Sequence, residues 1–140
     1  MFTVLLYASE TWTLKESDKK KLLAFEMKCY RRILKIKWTD KVSNEAIRKM
    51  ISRKTTIVDI IKKRKLQLFG YISRMDDSRL IKQVVFSRMD GKSRVGRPSR
   101  EWLDDITDWC NCNIQDLFHL AQNRKGWKDL ILSSIGPDGR

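Results

Sequence analysis

The sequence predicts an all-α fold, a small helical bundle of five or six helices. Apolar residues recur at intervals of three and four positions in several segments, whereas the alternation typical of strands is nowhere sustained. Capping residues precede most of these segments. The chain of 140 residues is long enough for one domain with a core, and only two prolines interrupt it.

The first helix is predicted to follow the capping box Thr13-Leu14-Lys15-Glu16 and to run to about Leu34. In such a box the hydroxyl and the carboxylate each accept a bond from an otherwise unpaired backbone amide. One face forms a wide apolar stripe made by Leu22, Leu23, Phe25, Met27, Cys29, Tyr30, Ile33 and Leu34. The opposite face carries Lys20, Lys21, Lys28, Arg31, Arg32 and Lys35.

Two further helices are predicted before residue 76. Ser43 caps a short helix from Asn44 to Ile51. Residues 56–59, Thr-Ile-Val-Asp, resemble a second capping box with Asp in place of Glu, and the helix that follows reaches about residue 75. Its core-facing side is expected to consist of Ile57, Ile61, Leu68, Ile72 and Met75. A shorter element covers residues 79–86, and the pattern leaves its type open.

The C-terminal part is predicted to hold three helices after a basic loop. The loop, residues 90–100, contains two glycines, one proline and four cations. Pro98 suits the first turn of a helix that continues to about Trp109. Asn113 opens a helix to about Ala121, and a last helix lies around residues 127–132.

Charge is divided unevenly along the chain, whose net charge is +13. Residues 1–100 hold 26 Lys and Arg against 10 Asp and Glu, or +16, whereas residues 101–140 hold 4 against 7, or −3. We therefore predict a basic helical region, 1–89, a basic loop, 90–100, and a C-terminal helical tail, 101–140. A strongly basic balance favours a polyanionic partner, either nucleic acid or an anionic membrane surface.

Several classes of protein are disfavoured by the composition. An odd count of three cysteines without a secretory signal indicates a reducing, intracellular compartment and no disulfide framework. No segment approaches the roughly 20 apolar residues of a membrane span. A single histidine and the absence of a Walker-type loop leave little room for hydrolase or nucleotide-binding chemistry. We predict no catalytic residue, no membrane partner and no small-molecule substrate.

A metal site is also disfavoured. Only one residue separates Cys110 from Cys112, which does not suit structural zinc, so two ordinary thiols are favoured over a site completed by His119. Asp104 and Asp105 point about 100° apart on a helix, so they are poor joint metal ligands. A charge near the helix N-terminus is the better role for them.

The cationic run Lys62-Lys63-Arg64-Lys65 lies inside a predicted helix. Four consecutive residues span about 300° of a helix, so they do not all face solvent. Lys65 falls on the apolar stripe, where its stem either packs with the charge at the edge of the core or brings the ammonium to a phosphate. For the run as a unit, together with Arg74 on the same helix, we predict phosphate contacts.

The loop at residues 90–100 is a second predicted phosphate-binding element. Its glycines allow close approach of a partner, and the helix N-terminus that follows adds a partial positive charge. A solvated, mobile surface loop is the alternative. Its cations are Lys92, Arg94, Arg97 and Arg100. The first helix is expected to add Lys28, Arg31, Arg32 and Lys35 to the same kind of contact.

Stacking on bases is one role available to the five tryptophans. Trp102 and Trp109 lie seven residues apart on one helix face with Ile106 between them, so core packing explains these two better. Trp38 follows a basic helix end, and both roles stay open for it.

A series of short motifs runs through residues 4–132 in a fixed order. They are LLYASETW at 5–12, the basic helix at 25–34 with RRIL, KLQLFGYISRMDD at 65–77, GRP at 96–98, WLDD at 102–105, AQNR at 121–124 and WK at 127–128. Their order and spacing resemble the stretch that follows the palm in non-LTR retrotransposon reverse transcriptases of the endonuclease–reverse transcriptase type. Tyr71 stands where that family often has His, and Leu68 where it often has Trp, so bulk and packing are expected to survive.

The resemblance implies a thumb-like bundle and C-terminal region of an RNA-directed DNA polymerase. In that family a palm motif, in which a pair of Asp residues stands next to an aromatic residue, binds the metal. The pairs Asp76-Asp77 and Asp104-Asp105 have no such neighbour, so the resemblance implies magnesium only in the palm and no cofactor here. The implied partners are an RNA–DNA or DNA duplex, contacted through its backbone, and the palm, on which residues 2–7 are expected to pack. Reverse transcription primed at nicked DNA implies a nuclear location.

Two alternatives stay open beside this reading. One is an inactive transposon relic, or a domesticated protein-interaction module, whose basic charge is inherited and which has no nucleic-acid role. The other is an independent enzyme, which the single histidine and the lack of a paired-Asp motif disfavour.

Overall fold

Helices dominate the computed structural model, which describes residues 2–86, 96 and 100–135. Within these residues there are seven α-helices and no strand, so the all-α prediction is confirmed, with one helix more than predicted. The helices are α1 (Glu16–Ile33), α2 (Asn44–Ile51), α3 (Ile57–Ser73), α4 (Leu80–Phe86), α5 (Trp102–Cys110), α6 (Ile114–Gln122) and α7 (Arg124–Ser134). Short 3₁₀ turns occupy Ser9–Thr11 and Trp38–Asp40.

The first helix begins later than predicted. Lys15 is the N-cap residue of α1, and its backbone N–H donates to the Asp18 carboxylate at 3.4 Å. The Leu14 N–H donates instead to Oδ2 of Asp105, on α5, at 2.9 Å. Because this bond holds the chain against another helix, the predicted capping box at residues 13–16 is wrong.

The buried face of α1 is shifted from the predicted stripe. Glu26, Met27 and Tyr30 are buried, whereas Phe25 and Ile33 are 45% and 55% exposed. The carboxylate of Glu26 accepts bonds from the Tyr30 hydroxyl at 3.0 Å and from the N–H of Ile57, at the start of α3, at 3.1 Å. A polar pair therefore takes part of the place that the apolar pattern assigned to aliphatic side chains.

The caps of α2 and α3 confirm the predictions for these helices. Oγ of Ser43 accepts a bond from the Ala46 N–H at 3.2 Å. At the start of α3, Oγ1 of Thr56 accepts from the Asp59 N–H at 3.2 Å, and the Asp59 carboxylate accepts from the Thr56 N–H at 2.7 Å. Each of these signals lies within four residues, so local sequence is enough to predict it.

The C-terminal helices follow the predictions less closely. α5 begins at Trp102, because the Asp104 carboxylate accepts a bond from the Glu101 N–H at 2.7 Å and ends the preceding loop there. The prediction of a helix start at Pro98 is therefore wrong, although Pro98 itself lies outside the described residues. α6 begins after Asn113 as predicted, and α7 begins earlier, at Arg124.

Helix α3 lies at the centre of the molecule and packs against α1, α4, α6, α7 and the first 3₁₀ turn. Its buried residues Leu66 and Phe69 join a core cluster with Ile106, Leu117, Ala121, Trp127 and Ile131. This cluster takes residues from both the predicted basic region and the predicted tail. A second cluster packs Leu6 and Leu14 against Ile57 and Ile61.

Helices α3 and α7 pack tightly at Gly70. A Cβ added there would lie 2.2 Å from Nε1 of Trp127. The same Nε1 donates a hydrogen bond to the carbonyl oxygen of Leu66 at 3.0 Å. This contact fixes α7 against the second half of α3.

Among the helices described, none is both long and apolar enough to cross a membrane.

Candidate nucleic-acid interface

The basic face of α1 separates into exposed cations and one structural arginine. Lys28, Arg32 and Lys35 are exposed. Arg31 is half-buried, and its guanidinium donates to the Val42 carbonyl at 2.8 Å and to Oδ1 of Asn44 at 3.0 Å. Arg31 thus joins the end of α1 to the start of α2, which occupies one of its terminal nitrogens inside the protein.

The four cations of the run in α3 have four different environments. Lys63 is exposed, and Lys62 is half-buried with its ammonium 5.6 Å from the ring centroid of Trp109. Burial lowers the pKa of Lys62. The guanidinium of Arg64 donates to the Leu6 carbonyl at 2.5 Å, which anchors the N-terminal segment on α3. The run therefore does not act as one surface.

Lys65 is fully buried, and its ammonium contacts a carboxylate, a carbonyl oxygen and two aromatic rings. Its Nζ lies 2.5 Å from Oδ2 of Asp105 and donates to the Trp12 carbonyl at 2.8 Å. The rings of Trp102 and Trp109 lie 5.0 and 5.4 Å from it. Burial lowers the pKa of Lys65, while the Asp105 carboxylate opposes that shift. The prediction of a phosphate contact is therefore corrected for this residue, and its charge is not at the edge of the core either.

Asp105 is the centre of a network that also engages Arg100. Nε of Arg100 lies 2.7 Å from Oδ1 of Asp105, and its terminal nitrogen lies 2.6 Å from Asp108. The hydrogen bond to Asp105 raises the pKa of Arg100. Arg100, which the sequence predicted to contact phosphate, therefore binds two carboxylates of α5. The other loop cations, Lys92, Arg94 and Arg97, lie outside the described residues.

The tryptophans divide as the helical spacing predicts. Trp102 and Trp109 are half-buried on either side of the fully buried Ile106, so the core-packing prediction is confirmed, with Lys65 as an unforeseen partner. Trp38 is 87% exposed on its 3₁₀ turn, where the Lys37 N–H donates to Asp40 at 2.8 Å. Its indole is available to a partner, and its exposure rules out core packing, one of the two roles that the sequence left open.

A groove of about 780 Å³ between α3 and α7 gathers several charged side chains. Five cations and one carboxylate line it: Lys63, Arg74, Arg79, Arg124, Lys128 and Asp76. Its remaining lining consists of Gln67, Tyr71, Met75, Trp127, Ile131 and Leu132. Of these cations, the sequence predicted Lys63 and Arg74.

The positive charge of this groove is poorly compensated. Arg74 donates to the Ala121 carbonyl at 2.6 Å, and burial together with the neighbouring charge of Arg124 lowers the pKa of Arg74. Guanidinium groups stay charged in proteins, so this repulsion persists at neutral pH. Within residues 2–86, 96 and 100–135, no side-chain hydrogen bond or ion pair involves Lys63, Arg79, Arg124 or Lys128. An anion would relieve this repulsion.

Sequence reasoning missed Arg79, which opens an element whose type the pattern left open, and it missed Arg124 and Lys128, which lie in a tail of negative net charge. One signal was available, since Arg124 and Lys128 are four residues apart and so share a helix face. That α7 would present this face to α3 depends on the contact between Gly70 and Trp127, which no local pattern indicates.

The thiols and carboxylates do not converge on a metal site in the described ranges. Burial raises the pKa of the Cys110 thiol to about 11, whereas Cys112 is exposed. Comparison of the chain with protein-family models, curated proteins and solved structures finds no match. A functional assignment therefore depends on the chemistry of the chain's own residues, and the groove is the strongest candidate site.

Proposed function

We propose that this chain binds nucleic acid through backbone contacts in the groove between α3 and α7, as a non-catalytic, thumb-like part of a retrotransposon reverse transcriptase. The observation that carries the proposal is the presence of five cations against one carboxylate in a single groove. Cations that converge on one concave surface create a positive potential, which attracts a polyanion and stabilises its complex.

The length of the charged groove favours a polyanion over a single small anion. Lys63 on α3 and Arg74, the C-cap residue of this helix, are eleven residues apart, which corresponds to about 16 Å along a helix axis. Arg124 and Lys128 line the opposite wall. A strand carrying successive phosphates can satisfy charges spread over this distance, whereas one phosphate can satisfy only a few of them.

The mixture of cations suits contacts that position a strand without reading its sequence. Three of the five cations are arginines, whose planar guanidinium binds phosphate oxygens through two parallel hydrogen bonds. The two lysines supply compact charges. Backbone contacts of this kind fix orientation and carry no base specificity.

The resemblance to reverse transcriptases adds the context of the proposal. A palm domain would carry the metal-bound aspartates, and the N-terminal segment of this chain would face that palm. Val4 and Tyr7 are 88% and 82% exposed, while Leu6 between them is buried against α3, so one side of the segment is available to a partner. The proposal implies a nuclear location and no polymerase activity from this chain alone.

A salt titration of binding tests the proposal. Labelled oligonucleotides are titrated with the full chain, and fluorescence anisotropy gives the affinity at a series of salt concentrations. If about five phosphates are neutralised, the logarithm of the duplex binding constant should fall with the logarithm of the salt concentration with a slope near −4 to −5. Affinity that is independent of salt, or no binding to any nucleic acid, contradicts the proposal.

A further inference from the structure

Tyr71 lies in the middle of the groove wall formed by α3. Lys63, Gln67 and Tyr71 follow one another at intervals of four residues and therefore form one stripe along the helix, which lines the groove. The Tyr71 side chain is 61% exposed. An aromatic ring on a charged, concave surface offers a partner a flat apolar face between cations.

The groove also has an apolar side that phosphate contacts leave unused. Met75, Ile131 and Leu132 line it, and Leu132 is 56% exposed. Its volume of about 780 Å³ is within the range, roughly 300–1,000 Å³, of pockets that enclose a compact ligand. A duplex keeps its bases stacked inside and presents phosphates outside, so it has no planar group to place against this surface. An unpaired base does.

The two walls of the groove are joined to each other by contacts between α3 and α7. The hydrogen bond from the Trp127 indole to the Leu66 carbonyl, at 3.0 Å, joins its two walls. Gly70 lets these walls meet at that point, one residue before Tyr71. Because the walls are fixed before a ligand arrives, little ordering is required on binding.

We infer that the groove between α3 and α7 binds an unpaired segment of nucleic acid, with a base stacked on Tyr71 and the adjoining phosphates held by Arg74, Arg124 and Lys128. The inference rests on the proposed function and names its ligand as single-stranded rather than duplex. Stacking on an aromatic ring tolerates any base, because every base has a flat face, so the site is expected to show little sequence preference. An acidic peptide matches the charge of the groove but offers no base.

Three probes of equal length and sequence test the inference by fluorescence anisotropy. They are a single strand, the same strand with abasic positions, and the blunt duplex. We expect the single strand to bind at least about fivefold more tightly than the abasic strand, and more tightly than the duplex despite the duplex's higher charge.

Substitutions of tyrosine identify the ring that carries the effect. Tyr71→Ala is expected to weaken single-strand binding about 5- to 150-fold and to leave duplex binding unchanged, whereas Tyr71→Phe retains the affinity because it keeps the ring. Tyr7→Ala is the matched control, since Tyr7 is 82% exposed and does not line the groove. Circular dichroism of each variant checks that the exposed position leaves the fold intact.

The possible outcomes separate the inference from the proposed function. Equal affinity for single strand and duplex, or no effect of Tyr71→Ala, overturns the inference while nucleic-acid binding stands. Displacement of the single strand by polyglutamate at an equal concentration of charges also overturns it. If none of the three probes binds, the proposed function fails and the inference fails with it.

Discussion

At the scale of single residues, Lys65 shows how a cation can serve the core rather than a ligand. Its ammonium and the Asp105 carboxylate are both fully buried and 2.5 Å apart, with two tryptophan rings and the Trp12 carbonyl around them. Removal of one member of such a pair leaves the other charge buried without full compensation. The position is therefore expected to be intolerant of substitution.

The variant Lys65→Met tests this role. We expect it to lower the free energy of unfolding by about 3–5 kcal/mol, because Asp105 would keep only Arg100 and the Leu14 N–H as partners. Lys63→Met, two residues earlier and exposed, is the control and should change stability by less than about 0.5 kcal/mol. Urea unfolding measures both. Equal effects of the two substitutions would show that Lys65 is not buried as described.

Glu26 is a second buried ionisable residue, and burial raises its pKa. Tyr30 donates to Oε1, Arg48 and Arg53 oppose the shift by their charge, and Oε2 has no hydrogen-bond partner within the described residues. The folded state thus binds the proton more tightly than the unfolded state. Its contribution to stability is present below the unfolded pKa and is lost as the pH rises through the folded pKa.

The variant Glu26→Gln should remove this pH dependence, because the amide does not titrate. We expect the stability of the variant to increase relative to the natural protein as the pH rises above about 4.3, by at most about 1.4 kcal/mol per pH unit within the window. Urea unfolding of both proteins at a series of pH values measures the difference. A difference that stays constant between pH values of about 4 and 7 would contradict the assignment.

At the scale of helices, the groove depends on the packing of α7 against α3, where Trp127 contacts Gly70. A Cβ at Gly70 would lie 2.2 Å from Nε1 of Trp127, so Gly70→Ala must displace the Trp127 indole or push the two helices apart. We expect a loss of about 1–3 kcal/mol in the free energy of unfolding. Gly126→Ala is the control, since its added Cβ would have its nearest neighbour at 3.6 Å and alanine favours the helix. Equal stability changes in the two variants would contradict this packing.

Local signals predict some helix boundaries well and fail at others for an identifiable reason. The starts of α2 and α3 depend on Ser43 and Thr56 bonding to amides three residues away, which sequence reveals. The start of α1 depends on the bond between Leu14 and Asp105, which are separated by 91 residues. No pattern within a helix specifies such a partner, and the burial of Lys65 was missed for the same reason.

At the scale of the whole molecule, the division of charge along the chain does not coincide with the division of charge in space. Residues 1–100 carry +16 and residues 101–140 carry −3, and the sequence singled out no binding cation in the tail. Yet α7, in the tail, contributes Arg124 and Lys128 to the groove. Two acidic residues of α5, Asp105 and Asp108, meanwhile form ion pairs with Arg100.

Some of the segments that carry the resemblance also line the groove. The motifs at 65–77, 121–124 and 127–128 supply Tyr71, Arg74, Arg124 and Lys128, and these residues line one groove although they are distant in sequence. The sequence predicted the all-α class and two of the five groove cations. It did not predict the groove, because packing of α7 on α3 at Gly70 is a tertiary contact.

The central claim is that the cations of the groove, and not the net charge of +13, bind the nucleic acid. The most direct test compares two double variants. The groove variant combines Arg124→Gln and Lys128→Gln, and the control variant combines Lys49→Gln and Lys54→Gln, which removes two exposed charges outside the groove. Both variants lose the same net charge, so any difference between them reports position.

The measurement is the affinity for a labelled single strand at a series of salt concentrations. We expect the groove variant to bind more weakly and to reduce the magnitude of the salt slope by about 1.4, since each lost phosphate contact contributes about 0.7 on a single strand. The control variant should retain the slope of the natural protein. Equal losses in the two variants, or an unchanged slope in the groove variant, would contradict the claim.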